Sequence, residues 1–293
     1  MKKKCLCLTL CFLLALSMLL GCSQNISGSA SGTSEAPGNS APSSAPNASS
    51  DTYSTTLADI LAKGELIIGL DDTFAPMGFR DTDGTLVGFD IDLSTAVCEK
   101  LGVTPIFQPV DWNSKEMELS TGNIDCIWNG LSATPERQVI MSLSQNYLNN
   151  KIIVMANNGV TLESKKDLAN FNIGIQASSA ALEAVMADPD YELFKDNITE
   201  YPTYDEVILA MISGREDCMV IDEVFGNYKN TQLENSLDTA PFDFGDDLYA
   251  VGFRKGDTEL TEAVNAALNE LIAEGVAAEI SIKWFGEDIV IQN

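Results

Sequence analysis

The chain after residue 56 is predicted to adopt an α/β fold larger than one typical domain. It contains about 237 residues, more than most single domains have. Short apolar runs, such as residues 65–70 and 172–175, have the length and composition of buried strands. Amphipathic stretches alternate with them, most clearly at residues 258–274, where apolar side chains recur with helical spacing. This alternation is typical of sheets that are covered by helices.

The first 22 residues have the features of a bacterial export signal. Three lysines at positions 2–4 precede an apolar stretch at residues 5–20 that is too short for a convincing membrane span. The stretch ends in Leu-Leu-Gly-Cys at Cys22, which resembles the lipobox of bacterial lipoproteins. The resemblance implies that residues 1–21 are removed and that Cys22 carries a lipid. The alternative is an ordinary secretory signal with an incidental cysteine.

Residues 22–56 are predicted to be a flexible tether. After the cysteine they consist mainly of Ser, Ala, Gly, Pro, Asn and Thr. Such a composition buries too little apolar surface to offset the entropy that is lost on ordering. A tether of this length suits a domain that a lipid anchor holds at the outer face of the cell membrane, although a passive spacer would have the same composition.

The charge and the residue usage exclude several classes of function. The formal net charge is −26, and residues 1–21 contain three lysines and no acidic residue, so the exported form would carry −29. Such a chain repels phosphate groups, and we expect no nucleic-acid partner. The chain has no histidine, which excludes His-dependent triads and the usual His-bearing metal sites. We expect no metal and no cofactor. Cys98, Cys126 and Cys218 lie in apolar contexts and are predicted to be buried free thiols.

A turn at residues 129–137 has the composition of an anion-binding corner. A short strand precedes it, and Thr134 and Pro135 are suited to the N-cap and the first position of a helix. Arg137 then falls at the third helical position, where the helix dipole disfavours a cation. A carboxylate bound between the guanidinium group and the free backbone N–H groups would relieve this conflict. The alternative is a solvated arginine or a surface ion pair.

Acidic and aromatic residues follow other predicted elements. Asp71 and Phe74 come after the strand at residues 65–70, and ligands of open α/β sheets bind beyond the carboxyl ends of strands. They are candidates for a pocket wall, although a solvated turn with Phe74 in the core fits the same pattern. A hairpin turn is predicted at residues 81–84, and Asp90 is predicted to cap a helix that ends at Leu101.

The segment Gly-Phe-Asp-Ile-Asp-Leu at residues 88–93 resembles the signature of the extracellular solute-binding proteins, family 3, the polar amino-acid receptors of ABC transporters. The resemblance implies a periplasmic-binding-protein type II fold, in which two α/β lobes are joined by a two-strand hinge and close around a ligand. It also implies an extracytoplasmic monomer that delivers an amino acid to permease subunits and is not an enzyme. Further segments carry the resemblance in the order of the family: residues 74–76, 122–125, 132–137 and 282–286.

The chain is predicted to cross between the lobes twice. A strand near residues 151–155 enters the second lobe, and another near residues 247–251 returns to the first. The predicted first lobe is therefore residues 57–150 with 247–293, and the second is residues 151–246. Two crossings form a hinge, and we expect closure around a ligand.

Two stretches of the second lobe contribute candidate site residues. Gln176, Ser178 and Ser179 follow a predicted strand, where small residues leave backbone N–H groups accessible to an anion. A capping role for Ser178 is an alternative. Asp222 stands at the carboxyl end of another strand, where it could cap the next helix, but the resemblance implies that it binds an amino group.

The expected ligand is a zwitterion held at both ends. Arg137 would bind the α-carboxylate, helped by backbone N–H groups near Ser132 and Ser179. Asp222, the Ser132 hydroxyl and a carbonyl near Gly130 would bind the α-ammonium group. The remaining candidates surround the ligand side chain: Phe74 and Trp112 flank it, and Asp71 is available to a polar or cationic tip.

Several departures from the family pattern leave the ligand open. Phe74 replaces a frequent tyrosine, Asn129 and Gly130 stand where binders of basic amino acids often have two serines, and Ala180 occupies a position that is often polar. Glutamine, a basic amino acid and cystine all remain candidates. Asp71 and the negative charge of the chain disfavour an acidic ligand.

An enzyme and a ligand sensor are alternatives to the transport receptor. The same fold resembles cyclohexadienyl dehydratases, but Asp71 and Glu116 are the only carboxylates near the pocket that are available as a general acid or base, and they do not form a convincing pair. Lytic transglycosylases carry such a domain before a catalytic one, which we do not expect here. A sensor that docks on a membrane receptor remains an alternative partner arrangement.

Overall fold

The computed structural model describes residues 56–292. The predicted export signal, Cys22 and the tether up to residue 55 lie outside this range. The described part forms two five-stranded sheets and one three-stranded sheet, with helices packed against them. None of its helices combines the length and apolar character needed to span a membrane.

The first lobe is built on a sheet with the strand order β5-β1-β6-β13-β7. β5 and β6 run parallel to β1, whereas β13 is antiparallel to both of its neighbours. A small antiparallel sheet of β2, β3 and β4 lies beside it. The elements are α1 (Leu57–Lys63), β1 (Glu65–Leu70), β2 (Thr73–Phe74), β3 (Gly78–Arg80), β4 (Leu86–Val87), α2 (Phe89–Leu101), β5 (Thr104–Pro109), α3 (Lys115–Ser120), β6 (Cys126–Ile127), α4 (Pro135–Ile140) and β7 (Met141–Leu143), with β13 (Gly252–Arg254), α9 (Thr258–Ala273) and α10 (Val276–Phe285) from the end of the chain.

The second lobe is built on a sheet with the order β10-β9-β11-β8-β12. β9, β10 and β11 are parallel, and the long strands β8 and β12 are antiparallel to their neighbours. Its elements are β8 (Leu148–Asn157), β9 (Ile173–Gln176), α5 (Ala180–Met186), α6 (Tyr191–Phe194), β10 (Ile198–Tyr201), α7 (Tyr204–Ile212), β11 (Cys218–Asp222), α8 (Glu223–Gln232) and β12 (Leu237–Tyr249).

β8 and β12 connect the two lobes. They pair from Leu148 with Tyr249 at one end to Asn157 with Leu237 at the other. At the end toward the first lobe, Tyr249 forms a bridge with Ser132, and Leu148 forms one with Val290. Two mixed sheets joined by two paired strands confirm the predicted fold class, whereas the exact residues at which the lobes divide remain a prediction.

Most predicted elements coincide with those of the structure. α9 ends within one residue of the amphipathic stretch predicted at residues 258–274, and α2 ends at Leu101 as predicted. Cys98, Cys126 and Cys218 are buried free thiols, as predicted. These predictions succeeded because caps, apolar periodicity and short buried runs are local signals.

The prediction that Asp90 caps α2 is wrong. The N-cap is Gly88, with φ +147°, and Asp90 is the second residue of the helix. A side chain at Gly88 would meet the Met77 carbonyl oxygen at 2.2 Å, so only glycine permits this close approach. Asp90 instead points into the core, where its Oδ2 accepts hydrogen bonds from Gly130 N at 2.7 Å and Tyr147 OH at 3.1 Å. It supports the turn that follows β6.

Candidate functional site

A small cavity of about 20 Å³ lies between the two lobes. Its walls come from the turns at the carboxyl ends of β1, β6, β9 and β11 and from the segment after β5, as the general rule for α/β sheets leads one to expect. Ten of the eleven predicted binding residues line it. The full set is Asp71, Phe74, Trp112, Asn129, Gly130, Ser132 and Arg137 from the first lobe, and Gln176, Ser179, Ala180 and Asp222 from the second.

The turn before α4 presents Arg137 to the cavity. Thr134 is the N-cap and accepts a hydrogen bond from Arg137 N, and Pro135 occupies the first helical position, as predicted. Arg137 is 2% exposed. Because a buried cation is costly without partners, its contacts decide what this corner of the cavity can bind.

The guanidinium group of Arg137 is only partly satisfied. Nη1 donates to Ser132 O at 3.0 Å, and Nη2 lies 3.6 Å from Glu183 Oε1, which is too long for a hydrogen bond. Nε and Nη2 are buried and have no hydrogen-bond partner. These two donors lie on one edge of the planar group, so a carboxylate could accept from both of them.

Two carboxylates, Asp222 at the cavity wall and Asp247 behind it, share a donor. Asn150 Nδ2 donates to Asp222 Oδ1 at 2.7 Å and to Asp247 Oδ2 at 2.9 Å. Tyr249 OH donates to Asp222 Oδ1 at 2.7 Å, and Ser132 Oγ donates to Asp247 Oδ2 at 2.8 Å. Burial raises the pKa of Asp222 to about 7, and the charge of Asp247 acts in the same direction. A cation at this place would stabilise the ionised pair.

Asp71 and Gln176 join the two lobes across the cavity. Asp71 Oδ1 accepts from the backbone and the hydroxyl of Thr73, at 2.9 and 2.6 Å. Its Oδ2 accepts from Gln176 Nε2 at 3.0 Å, and Gln176 also donates to Pro202 O. Burial raises the pKa of Asp71. This end of the cavity therefore offers oxygen acceptors and favours a ligand group that donates hydrogen bonds.

Aromatic rings form the apolar wall. Phe74 stacks on Phe225 of the second lobe, with ring centroids 5.0 Å apart. The ring of Tyr204 is tilted against Phe74, with a centroid distance of 6.1 Å. Gly130 lies under Phe74 with φ +55°, and a side chain there would meet the Phe74 ring at 2.7 Å. Trp112, 7% exposed, lines the cavity as well. A flat or aliphatic portion of a ligand fits between such rings.

The smaller polar residues mainly hold the site in place. With its amide in the orientation that satisfies both atoms, Asn129 donates to Asp71 O and accepts from Gly78 N. Ser179 caps α5 through Leu182 N, which leaves its hydroxyl engaged. Ser178 is the predicted residue that the structure does not bring to the cavity. Its φ of +55° turns the side chain to Asn113 Oδ1, 2.9 Å away.

Other residues of the site were missed by sequence reasoning. Ala180, noted in the sequence only as a departure from the family pattern, lines the cavity directly. Asn150 and Asp247 belong to β8 and β12, and only the pairing of these strands brings them beside Asp222. At the start of β8, buried residues alternate with more exposed ones, and Asn150 is a polar residue at one of the buried positions. A polar residue at such a position of a crossing strand is a signal that could have identified it.

The fold and the site together define a two-lobed binding protein with a closed cleft between its lobes. The sequence profile of the bacterial extracellular solute-binding proteins, family 3, matches residues 66–287, and the chain belongs to this family. It is thus an extracellular solute-binding protein, a transport receptor and not an enzyme. Within residues 56–292, no group of three or more potential metal ligands of the His, Cys, Asp and Glu types is found.

Individual relatives agree with this assignment. A substrate-binding protein of an ABC uptake transporter from Streptococcus pneumoniae, solved with bound histidine, is 36% identical, has a TM-score of 0.77, and matches over 80% of this chain and 98% of its own. The L-cystine-binding protein TcyJ of Escherichia coli K12 is 26% identical over 80% of this chain and 87% of its own length. The arginine-binding extracellular protein ArtP of Bacillus subtilis 168 is 28% identical over 76% and 87%. The chain is accordingly an amino-acid-binding protein of the kind that serves ABC uptake transporters.

Proposed function

We propose that the protein binds a polar amino acid with an uncharged or cationic side chain between its lobes and delivers it to an ABC transporter permease. The carrying observation is Arg137, buried at the cavity with two donors that have no hydrogen-bond partner, together with the acidic pair of Asp222 and Asp247, which Ser132 connects to it. An α-amino acid has one anionic and one cationic group on the same carbon. A cavity with a free cationic fork and an acidic pair complements such a zwitterion.

The α-carboxylate accepts from Nε and Nη2 of Arg137 in this proposal. Backbone N–H groups near Ser132 and Ser179 add donors, and charge-assisted bonds of this type contribute about 1.5 to 3 kcal/mol each. The α-ammonium group binds Asp222, the Ser132 hydroxyl and the Gly130 carbonyl.

The side chain of the amino acid extends between Phe74 and Trp112 toward Asp71 and Gln176. When the zwitterion has neutralised Arg137 and Asp222, Asp71 retains its negative charge and its free acceptor capacity. Histidine, arginine, glutamine and cystine present donors or positive charge to it, whereas the side chains of aspartate and glutamate would place a second anion beside Asp71. Relatives that bind histidine, arginine and cystine support this choice of class.

Binding of a small set of polar amino acids tests the proposal. We expect thermal-shift and calorimetric titrations of the exported chain to give saturable binding with at least one of L-histidine, L-arginine, L-glutamine and L-cystine, and none with L-aspartate or L-glutamate. At a hundred times its dissociation constant, a bound amino acid stabilises the fold by about 2.7 kcal/mol. No stabilisation by any common amino acid would contradict the proposal.

We infer further that Cys22 anchors the receptor to the outer face of the cell membrane. The lipobox-like sequence at residues 19–22 and the Ser- and Ala-rich stretch after it support the inference. In this arrangement, the first lobe is formed by residues 57–150 with 247–293 and the second by residues 151–246. The tether holds both lobes at a distance from the membrane. Replacement Cys22→Ser should release the protein into the soluble fraction and abolish labelling with palmitate. A variant that stays membrane-bound and labelled would contradict the anchor.

A further inference from the structure

A second set of contacts joins the lobes outside the cavity. Lys115 Nζ, from the first lobe, donates to Ser178 O of the second at 3.0 Å and to Trp112 O at 3.0 Å. Ser178 Oγ donates back to Asn113 Oδ1 at 2.9 Å. We call Asn113, Lys115 and Ser178 the interlobe latch. None of the three lines the cavity, so no direct contact with a bound amino acid is expected of them.

Each side of the latch has an unfavourable feature: a buried lysine in the first lobe and a positive φ at a serine in the second. Lys115 is 1% exposed, and lysine is almost never fully buried unless it is paired. Two carbonyl oxygens, Glu116 Oε1 at 3.1 Å and the Trp112 ring at 4.8 Å replace the water around its ammonium group. Ser178 has φ +55°, a conformation that non-glycine residues rarely adopt. Such outliers persist where surrounding contacts hold them, and here these contacts cross between the lobes.

We propose that the interlobe latch sets the lifetime of the closed receptor, with Lys115 as a positioning residue that slows release of the amino acid without touching it. The inference rests on the proposed function, since it requires an amino acid to be enclosed. The physical reason is that opening the cleft separates Ser178 from Asn113 and Lys115. The ammonium group then loses one of its two carbonyl acceptors, and the hydrogen bond between the two side chains is broken.

The charges around Lys115 couple the latch to the occupied cavity. Burial lowers the pKa of Lys115, and the positive charge of Arg137 acts in the same direction, while Glu116 and Glu183 oppose it. A carboxylate bound by Arg137 offsets the positive charge of Arg137, which acts on Lys115. It therefore favours the protonated lysine, which donates to Ser178 O, so the latch is strongest when the cavity is filled.

Release kinetics test the role of Lys115. For the exported full chain, we expect Lys115→Met to raise both koff and Kd about tenfold for every bound member of the panel L-histidine, L-arginine, L-glutamine and L-cystine, measured by stopped-flow fluorescence and calorimetry. The order of preference among them should not change, because the lost contact is remote from the side chain. The matched control is Lys100→Met, which removes a lysine paired with Glu270 and Glu274 of its own lobe and should leave koff unchanged.

A double-mutant cycle separates the latch from an indirect effect on the Trp112 wall. Asn113→Ala and Ser178→Ala should each raise koff about threefold, and the double variant should do so by no more than either single change. Independent, multiplicative effects in this cycle, or an unchanged koff in Lys115→Met, would overturn the latch. Failure of the wild-type chain to bind any amino acid would overturn the proposed function, and the latch with it.

Discussion

Replacing Arg137 by methionine is expected to weaken amino-acid binding at least about 100-fold, since two charge-assisted hydrogen bonds to the carboxylate are lost. Methionine keeps much of the length and apolar volume of arginine but has no donors. The loss should appear for every amino acid that the protein binds, because the α-carboxylate is common to all of them. Isothermal calorimetry on wild type and variant measures it.

Arg137→Met should leave the ligand-free fold nearly as stable as the wild type. The buried guanidinium group has two donors without hydrogen-bond partners, and replacing an incompletely paired buried charge with an apolar group is often neutral or stabilising. A loss of affinity without a loss of stability would therefore separate binding from folding.

The matched control for this substitution is Arg215→Met. Arg215 is an exposed arginine of the second lobe, and its removal changes the net charge by the same amount while leaving the cavity intact. We expect its Kd to stay within about twofold of the wild type, since rim charges contribute little once they are screened. Equal effects of Arg137→Met and Arg215→Met would show that only the overall charge matters and would contradict the carboxylate corner.

Local signals were sufficient to predict the corner around Arg137. Thr134 and Pro135 mark the start of α4 without reference to the rest of the chain, and this start fixes Arg137 in the first turn of the helix. The same holds for Asp71, Phe74 and Asp222, which stand at or just beyond the ends of apolar strands. In an α/β sheet, position along the chain relative to a strand end is enough to place a residue at the binding edge.

Tertiary contacts determine the roles of the residues that sequence reasoning missed or misassigned. Asp90 precedes Gly130 by 40 positions, so its role in supporting the turn has no local pattern, and capping was the simpler expectation. Ser178 and Ser179 are both plausible caps, and the choice between them depends on a positive φ at Ser178 that contacts with the other lobe maintain. Such pairings, like that of Lys115 with Ser178 over 63 positions, depend on how the lobes meet.

Amino-acid affinity is expected to rise with pH between about pH 5.5 and 7.5, by up to tenfold per pH unit, because the buried acidic pair must be ionised to bind an ammonium group. The pKa of Asp222 is raised to about 7 by burial, with Asp247 acting in the same direction, while Tyr249, Asn150 and Arg137 partly oppose both. Burial also raises the pKa of Asp247. The bound ammonium group lowers these values again, so binding near pH 6 should release protons. Calorimetry in buffers of different ionisation enthalpy counts them.

The ligand-free protein should show the opposite dependence. The folded-state pKa of Asp222, about 7, lies above the ordinary aspartate pKa of 3.8. The native state therefore binds more protons than the unfolded state between these values, and the free energy of unfolding falls as pH rises through this window. Burial raises the pKa of Asp90 to about 7 as well, and it contributes with the same sign. A bound amino acid should reverse only the contribution of Asp222 and Asp247 to this pH dependence of the free energy of unfolding.

Asp222→Asn assigns the pH dependence of binding to the acidic pair. Asparagine fills nearly the same volume but has no charge, so we expect affinity to fall about 100-fold at pH 8. At pH 5.5 the loss should be much smaller, because the wild-type pair is then largely protonated. The difference in affinity between wild type and variant thus shrinks on acidification, because the variant has lost the dependence of affinity on pH. If the variant kept the wild-type slope, the titrating group would have to be Asp247, Asp71 or Asp90, and Asp222 would not be the partner of the ammonium group.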